Sequence, residues 1–113
     1  MHELSLLENV REILETHAKQ ESFTKVTRIT LQVGKLSSVE PDALRFGFDV
    51  VMRNSLAEGA ELNISELDGL GQCRDCGQTF QLETLYATCL FCNGSSVDVV
   101  QGMDMKIKDL LVF

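Results

Sequence analysis

The chain has 113 residues, of which 44% are apolar, and it carries a formal net charge of −7 at neutral pH. Its length suits one ordinary domain, or a small domain with an appended module. The acidic balance argues against DNA or RNA as a partner, because binding to a phosphate backbone depends on Lys and Arg. No run of about eighteen apolar residues is present, so we expect no membrane-spanning helix and no membrane partner.

The N-terminal segment has the periodicity of an amphipathic helix. Its apolar stripe recurs every three or four residues and comprises Leu6, Val10, Ile13, Leu14 and His17. Ser5 and Glu8 fit a capping box, which predicts a helix that begins near residue 5 and a short arm over residues 1–4. From its place on the stripe, His17 is predicted to be a partly buried packing residue rather than a metal ligand.

A strand and a second helix are predicted next. Residues 27–33 alternate between apolar and polar side chains, which predicts a half-buried strand ended by Gly34. Pro41 suits the first turn of a helix and predicts that the second helix begins there. The predicted core face of this helix is apolar and comprises Leu44, Phe46, Phe48, Val50 and Val51.

Two further strands are predicted on either side of a region without regular patterning. One covers residues 60–66, and the other is indicated by the alternation of Met103, Met105 and Ile107. From near Asp68, glycines and polar residues dominate, and about thirty residues with so little to bury need a staple such as a metal. The predicted fold is therefore α+β. A small domain of two helices and three strands covers residues 1–67 and 99–113, and a zinc-ribbon-like module is inserted at 68–98.

All four cysteines lie in the inserted region as two CxxC pairs. A two-residue spacing lets a tight turn direct both sulfurs at one ion, and zinc prefers four such thiolates in a tetrahedron. Gly77 follows the first pair, and Asn93 with Gly94 follows the second, where such a turn needs a relaxed backbone. The ligands of the predicted structural Zn²⁺ are Cys73, Cys76, Cys89 and Cys92.

Other uses of four cysteines fit the sequence less well. A redox CxxC usually occurs once beside a βαβ pattern, and iron–sulfur clusters usually have other spacings. Two disulfides would need an oxidising compartment, whereas the N-terminal residues lack the layout of a signal peptide and indicate a cytoplasmic protein. Catalytic zinc is disfavoured because four protein sulfurs leave no position for water or substrate.

The first three residues offer a second kind of metal site. The Met1 α-amine, the backbone nitrogen and imidazole of His2, and the Glu3 amide can surround one ion in a plane. Deprotonated amide nitrogens in a plane suit Ni(II) or Cu(II) rather than Zn(II). The residues alone leave open the alternative that His2 is an ordinary terminal residue without a metal role.

Five features of the chain together resemble one known family. They are Met-His-Glu-Leu-Ser at 1–5, Gly-Lys-Leu-Ser-Ser-Val-Glu-Pro at 34–41, Leu-Arg-Phe-Gly-Phe-Asp at 44–49, Ala-Glu-Gly-Ala-Glu-Leu at 57–62, and the two CxxC pairs. Their order and spacing are similar to those of the nickel-incorporation accessory proteins of hydrogenase maturation, the HypA/HybF family. The chain departs from many relatives at Leu90 and Phe91, where those proteins have a proline inside the second CxxC.

The resemblance implies a metallochaperone without catalytic activity of its own. It implies Ni(II) bound by His2, with Met1 and Glu3 contributing backbone nitrogens, and Zn²⁺ in the separate four-cysteine module. Glu40 matches a position where some relatives carry an acidic residue near the nickel site, although a residue before Pro41 is equally explained as a helix start. The implied partners are a nickel-maturation GTPase and the large subunit of a [NiFe] hydrogenase, with urease accessory proteins in some organisms. The chain itself would be a monomer or a homodimer.

Two other functions stay open from the residues alone. One is a zinc-ribbon adaptor that binds a protein partner and has no nickel role. The other is a nucleic-acid-binding zinc ribbon, which the acidic charge and the lack of an aromatic and basic surface disfavour. An enzyme is not expected, because no nucleophile–base pair or paired-carboxylate motif stands out in the sequence.

Overall fold

The computed structural model describes residues 3–113, so Met1 and His2 lie outside the described residues. Its elements in chain order are α1 (Glu3–Glu21), β1 (Val26–Gly34), α2 (Pro41–Val51), β2 (Glu61–Leu67), β3 (Gly69–Cys73), β4 (Thr79–Leu82), β5 (Val97–Gln101) and β6 (Met105–Val112). The strands form two three-stranded sheets, and the chain divides into two units. No helix within residues 3–113 has the length and apolarity that crossing a membrane requires.

The first unit contains both helices. It extends to Gln32 and includes Val39–Ser65 and Lys106–Phe113. Its strands form a sheet in the order β2-β1-β6. Its buried apolar residues include Leu7, Val10, Leu14, Val26, Ile29, Leu31, Leu44, Phe48 and Met52. The predicted pattern of two helices and three strands is confirmed, and Pro41 begins α2 as expected.

The two helices are held together by specific contacts as well as by apolar packing. α2 has no basic residue in its last turn. Instead, Arg11 of α1 donates hydrogen bonds to the carbonyl oxygens of Val51 and Arg53, at 2.8 and 3.2 Å. In the middle of α2, Gly47 allows a close approach, because a Cβ there would lie 2.9 Å from a methyl carbon of Leu4. The packing of α2 on α1 therefore depends on residues from the first three turns of α1.

α1 differs from its prediction in three respects, one of which is that Ile13 of the predicted apolar stripe is exposed. The helix already includes Glu3, because the Glu3 carboxylate is engaged by the backbone N–H of Glu40 and holds the first turn in place. His17 is exposed rather than partly buried. α1 has 19 residues and α2 only 11, and the contact of Arg11 with the end of α2 leaves His17 beyond the covered part of α1.

The predicted core face of α2 is too wide. Phe46 and Val50 are exposed, whereas Leu44 and Phe48 are buried. An α-helix turns by about 100° per residue, so a residue two positions from a buried one lies on the opposite side. Phe46 lies two positions from both Leu44 and Phe48, and Val50 lies two positions from Phe48. The first unit therefore presents two large apolar side chains of α2 to solvent.

The second unit consists of Val33–Ser38 and Glu66–Met105. Its sheet has the order β4-β3-β5, in which β3 is antiparallel to both neighbours. The sequence pattern does not predict these strands, because β3 and β4 are short and β3 contains two glycines. Its buried cluster is small and comprises Leu36, Cys73, Phe80, Leu82 and Cys89, with Ala87, Val97 and Val99 packed against it.

Two glycines let backbone segments of the second unit touch. A Cβ on Gly34 would lie 2.1 Å from the carbonyl oxygen of Gly102. The same approach allows the Gly34 N–H to donate to the Asp104 carbonyl, and the Leu36 N–H to donate to the Gly102 carbonyl. Gly102 has a φ of +99°, which other residues rarely adopt. Any side chain at position 34 would force these backbone segments apart.

The close approach predicts that Gly34→Ala destabilises the zinc-loaded protein by about 1–3 kcal/mol, the usual cost of overpacking. The free energy of unfolding can be measured by urea titration. Gly59→Asn serves as the matched control, because Gly59 has a φ of +76° that Asn tolerates and no neighbouring atom within 4 Å of a Cβ. Equal stability of Gly34→Ala and the wild type would contradict the close approach.

Candidate metal centres

β3 and the turn after it carry the first pair of cysteines. Cys73 is the last residue of β3, and its N–H donates to the Gln78 carbonyl over 2.9 Å. The Gly77 N–H donates back to the Cys73 carbonyl over 2.9 Å, and Gly77 has a φ of +78°. This left-handed conformation confirms the predicted need for glycine after the pair. The turn leaves Cys73 buried and Cys76 exposed.

The second pair repeats this turn with asparagine in place of glycine. The Asn93 N–H donates to the Cys89 carbonyl over 2.9 Å, and Asn93 has a φ of +62°, a conformation that Asn tolerates. The backbone N–H groups of Phe91 and Cys92 donate to the Cys89 sulfur at 3.3 and 3.5 Å. Cys89 is buried and Cys92 is exposed, so each pair contributes one buried and one exposed thiol.

The two turns bring all four sulfurs together. The four Sγ atoms lie within 4.8 Å of one another. Cys73 Sγ lies 3.5 Å from Cys92 Sγ, and Cys76 Sγ lies 3.6 Å from Cys89 Sγ. A tetrahedral zinc ion with Zn–S bonds of about 2.3 Å would separate its sulfurs by about 3.8 Å. Four free thiols at this spacing fit a closed structural zinc site, as the sequence predicted.

The two thiols of the second pair differ in acidity. Burial opposes ionisation of Cys89, but hydrogen bonds from the backbone N–H groups of Cys92 and Phe91, and from neighbouring thiols, lower its pKa to about 7. The backbone N–H of Gly94 favours the Cys92 thiolate, but the Cys73 thiol, burial and the other thiols raise the pKa of Cys92 to about 12. Zinc must therefore displace a proton from Cys92, while Cys89 supplies a thiolate near neutral pH.

Two side chains outside the ligand set contact other residues of the second unit. Phe91 lies edge-on to the buried Phe80, with ring centroids 6.5 Å apart, so it partly packs on its own unit. Arg74, between the first two ligands, forms an ion pair with Asp98 of β5, with a closest N–O distance of 2.6 Å. The Arg74 guanidinium donates hydrogen bonds to the Asp98 carboxylate and thereby lowers the pKa of Asp98. A local sequence pattern does not predict the pairing of Arg74 with Asp98, because the two residues are 24 positions apart in the chain.

The predicted nickel ligands Met1 and His2 lie outside the described residues. The structure does place Glu3 beside Glu40, because the Glu40 N–H donates to Glu3 Oε2 over 3.1 Å. Glu40 precedes the first turn of α2, and its own side chain makes no capping hydrogen bond. Glu3 therefore provides an acceptor at this helix start, where negative charge is also favoured. The Glu40 side chain is exposed.

An α+β fold with a closed site of four thiols defines a small metalloprotein stapled by structural zinc. Comparison with known proteins identifies which one of this class it is. The family model "HypA: Hydrogenase/urease nickel incorporation, metallochaperone, hypA" matches residues 1–112. The chain belongs to the HypA family.

Individual relatives agree with this assignment. The hydrogenase maturation factor HypA of Xanthobacter autotrophicus is 48% identical over 112 residues, which cover 99% of each chain. That of Rhodobacter capsulatus is 46% identical with the same coverage. The solution structure of the Ni metallochaperone HypA from Helicobacter pylori superposes with a TM-score of 0.76 at 27% identity, over 99% of this chain and 97% of that one. The chain is thus a nickel metallochaperone of hydrogenase maturation, with zinc as its structural metal and nickel as its cargo.

Removing zinc with a chelator is expected to unfold the second unit, because two of its core residues, Cys73 and Cys89, are also ligands. Backbone amides of β3 and β4 should lose hydrogen-exchange protection by about 100-fold or more, since they would then exchange through local unfolding. Hydrogen exchange with mass spectrometry measures this loss, and adding Zn²⁺, but not Mg²⁺, should restore protection. Unchanged protection of β3 in the zinc-free protein would show that the second unit stays folded without zinc.

Zinc binding should also depend on pH. Ligands must be deprotonated, so zinc affinity falls as pH falls. In the unfolded, zinc-free second unit the thiols titrate at about pH 8.5, so each zinc ion should release about four protons at pH 6 and about three at pH 8. Titration calorimetry in buffers of different ionisation enthalpy counts these protons. A release of only one or two protons at pH 6 would contradict binding by four thiolates.

Proposed function

We propose that this chain holds Ni(II) on its first three residues and delivers it to the large subunit of a [NiFe] hydrogenase, with a maturation GTPase as partner. The family match, which begins at residue 1, is the observation that carries this proposal. The relatives are named as hydrogenase maturation factors, which implies hydrogenase and its accessory proteins as partners. Urease accessory proteins are further candidates, because the family description names urease.

The chemistry of the zinc site supports a separate nickel site. Four thiolates fill the tetrahedral positions of zinc and leave none for a second ligand or a substrate. Within residues 3–113, the four cysteines are the only cluster of three or more side chains arranged to hold a metal. His17, the other histidine of the chain, is exposed and belongs to no such cluster. Cargo nickel therefore needs ligands elsewhere, and the amine, amide and imidazole nitrogens of residues 1–3 suit it.

We assign a supporting role at the nickel site to Glu40. The hydrogen bond between the Glu40 N–H and Glu3 Oε2 supports this role, because it keeps residue 40 beside the last of the three proposed ligands. An exposed carboxylate next to the site would favour a bound cation. The chain would work in the cytoplasm. It would act as a carrier and not as a catalyst, because its zinc site has no open coordination position.

His2→Ala is expected to abolish Ni(II) binding, because it removes the imidazole from the planar nitrogen set. Titration calorimetry on the untagged chain, with nickel as titrant, measures the affinity. His17→Ala is the matched control, since it removes an exposed histidine of the first unit and should leave nickel binding unchanged. Zinc content and circular dichroism should equal those of the wild type in both variants.

The same nickel titration on two further variants distinguishes the role of the α-amine from that of Glu40. One extra residue before Met1 should weaken nickel binding, because it displaces the α-amine. Glu40→Gln should weaken binding by about tenfold or less, as expected for a charge that does not coordinate the metal. Unchanged nickel affinity in His2→Ala would leave the zinc-ribbon adaptor, without a nickel role, as the better description of the protein.

A further inference from the structure

A shallow groove lies between α1 and α2 in the first unit. Two of its lining residues, Leu4 of α1 and Val50 of α2, have large exposed apolar side chains. Leu4 is 54% exposed and Val50 is 47% exposed. Phe46, one turn before Val50 on the same side of α2, is 81% exposed. Three large apolar side chains thus face solvent along or next to one groove, an arrangement that marks interaction sites on soluble proteins.

One wall of the groove is acidic. Glu8, Glu12 and Glu15 of α1 all line it, at the spacing of one helical face. The one basic lining residue, Arg11, is already engaged. It donates to the carbonyl oxygens at the end of α2 and lies 3.7 Å from Glu15. The groove therefore offers an apolar floor beside a carboxylate wall whose charge is only partly compensated.

We propose that this groove binds a basic amphipathic helix of a partner protein. A groove between two helices accepts a third helix through its apolar face, and Lys or Arg beside that face would meet the carboxylates of α1. A second copy of this chain suits the groove less well, because its own groove carries the same acidic wall.

The position of the groove connects it with nickel transfer, and to that extent the proposal rests on the proposed function. Leu4 directly follows Glu3, the last of the three proposed nickel ligands. A helix seated against Leu4 would therefore begin its contact next to the cargo. Docking at this place would bring a receiving protein next to the proposed nickel ligands.

The test uses the full chain and three labelled helical peptides with one leucine face. Their other faces carry Lys, Glu or Gln. Fluorescence anisotropy should show binding of the lysine peptide, with the other two at least about tenfold weaker. Phe46→Asp and Val50→Asp should each weaken binding of the lysine peptide by about tenfold or more. The double variant Glu8→Lys/Glu12→Lys should weaken it similarly, and more at low salt than at high salt.

Matched controls separate the groove from general attraction to an acidic protein. Tyr86→Asp changes an aromatic residue of similar exposure in the second unit, and Glu58→Lys/Asp109→Lys makes the same change in net charge at exposed sites outside the groove. Both should bind the lysine peptide within about twofold of the wild type. His2→Ala should also bind it normally, so failure of the nickel site would not affect the result.

Three outcomes would overturn the proposal. The first is that no peptide binds the wild type. The second is that both charge-reversal variants lose binding equally while Phe46→Asp and Val50→Asp retain it, which would indicate unspecific attraction. The third is that the wild type sediments as a dimer and Val50→Asp as a monomer, which would make a second copy the occupant of the groove.

Discussion

The folding of the second unit depends on four thiols held around one point. Its buried cluster is small, and two of the five residues, Cys73 and Cys89, are themselves metal ligands. So little apolar burial cannot offset the entropy of ordering the 46 residues of this unit. A zinc ion fixes both turns at once and thereby closes β3 onto β4 and β5. The same closure explains why this metal is structural, since no coordination position is left for exchange.

A carrier must both hold and release its cargo, and a closed four-thiolate site is suited only to holding. The division of the chain into two units matches this difference in task. One metal staples a unit that lacks an adequate core, and the proposed nickel ligands lie at the start of the other unit. That unit folds on an ordinary apolar core from two helices and a sheet. Nickel could therefore enter and leave without unfolding it.

α1 organises the first unit through its first three turns. Glu3 accepts a hydrogen bond at the beginning of α2, and Arg11 donates hydrogen bonds at its end. Side chains of α1 thus contact backbone groups at both ends of α2. This arrangement holds Glu3, the last of the three proposed nickel ligands, beside Glu40. It also leaves Phe46 and Val50 on the uncovered side of α2, where the proposed partner groove lies.

The sequence by itself determined the features that depend on local spacing. The CxxC pairs, the turn at Gly77, the start of α2 at Pro41 and the first strand all follow from residue type and periodicity, and the family follows from motifs spread along the chain. The tertiary structure decided what depends on distant partners. Glu3 joins α1 because Glu40 binds it, and β3 becomes a strand because β4 and β5 pair with it. Burial on α1 and α2 likewise depends on which side the neighbouring helix covers, and periodicity alone does not specify that side.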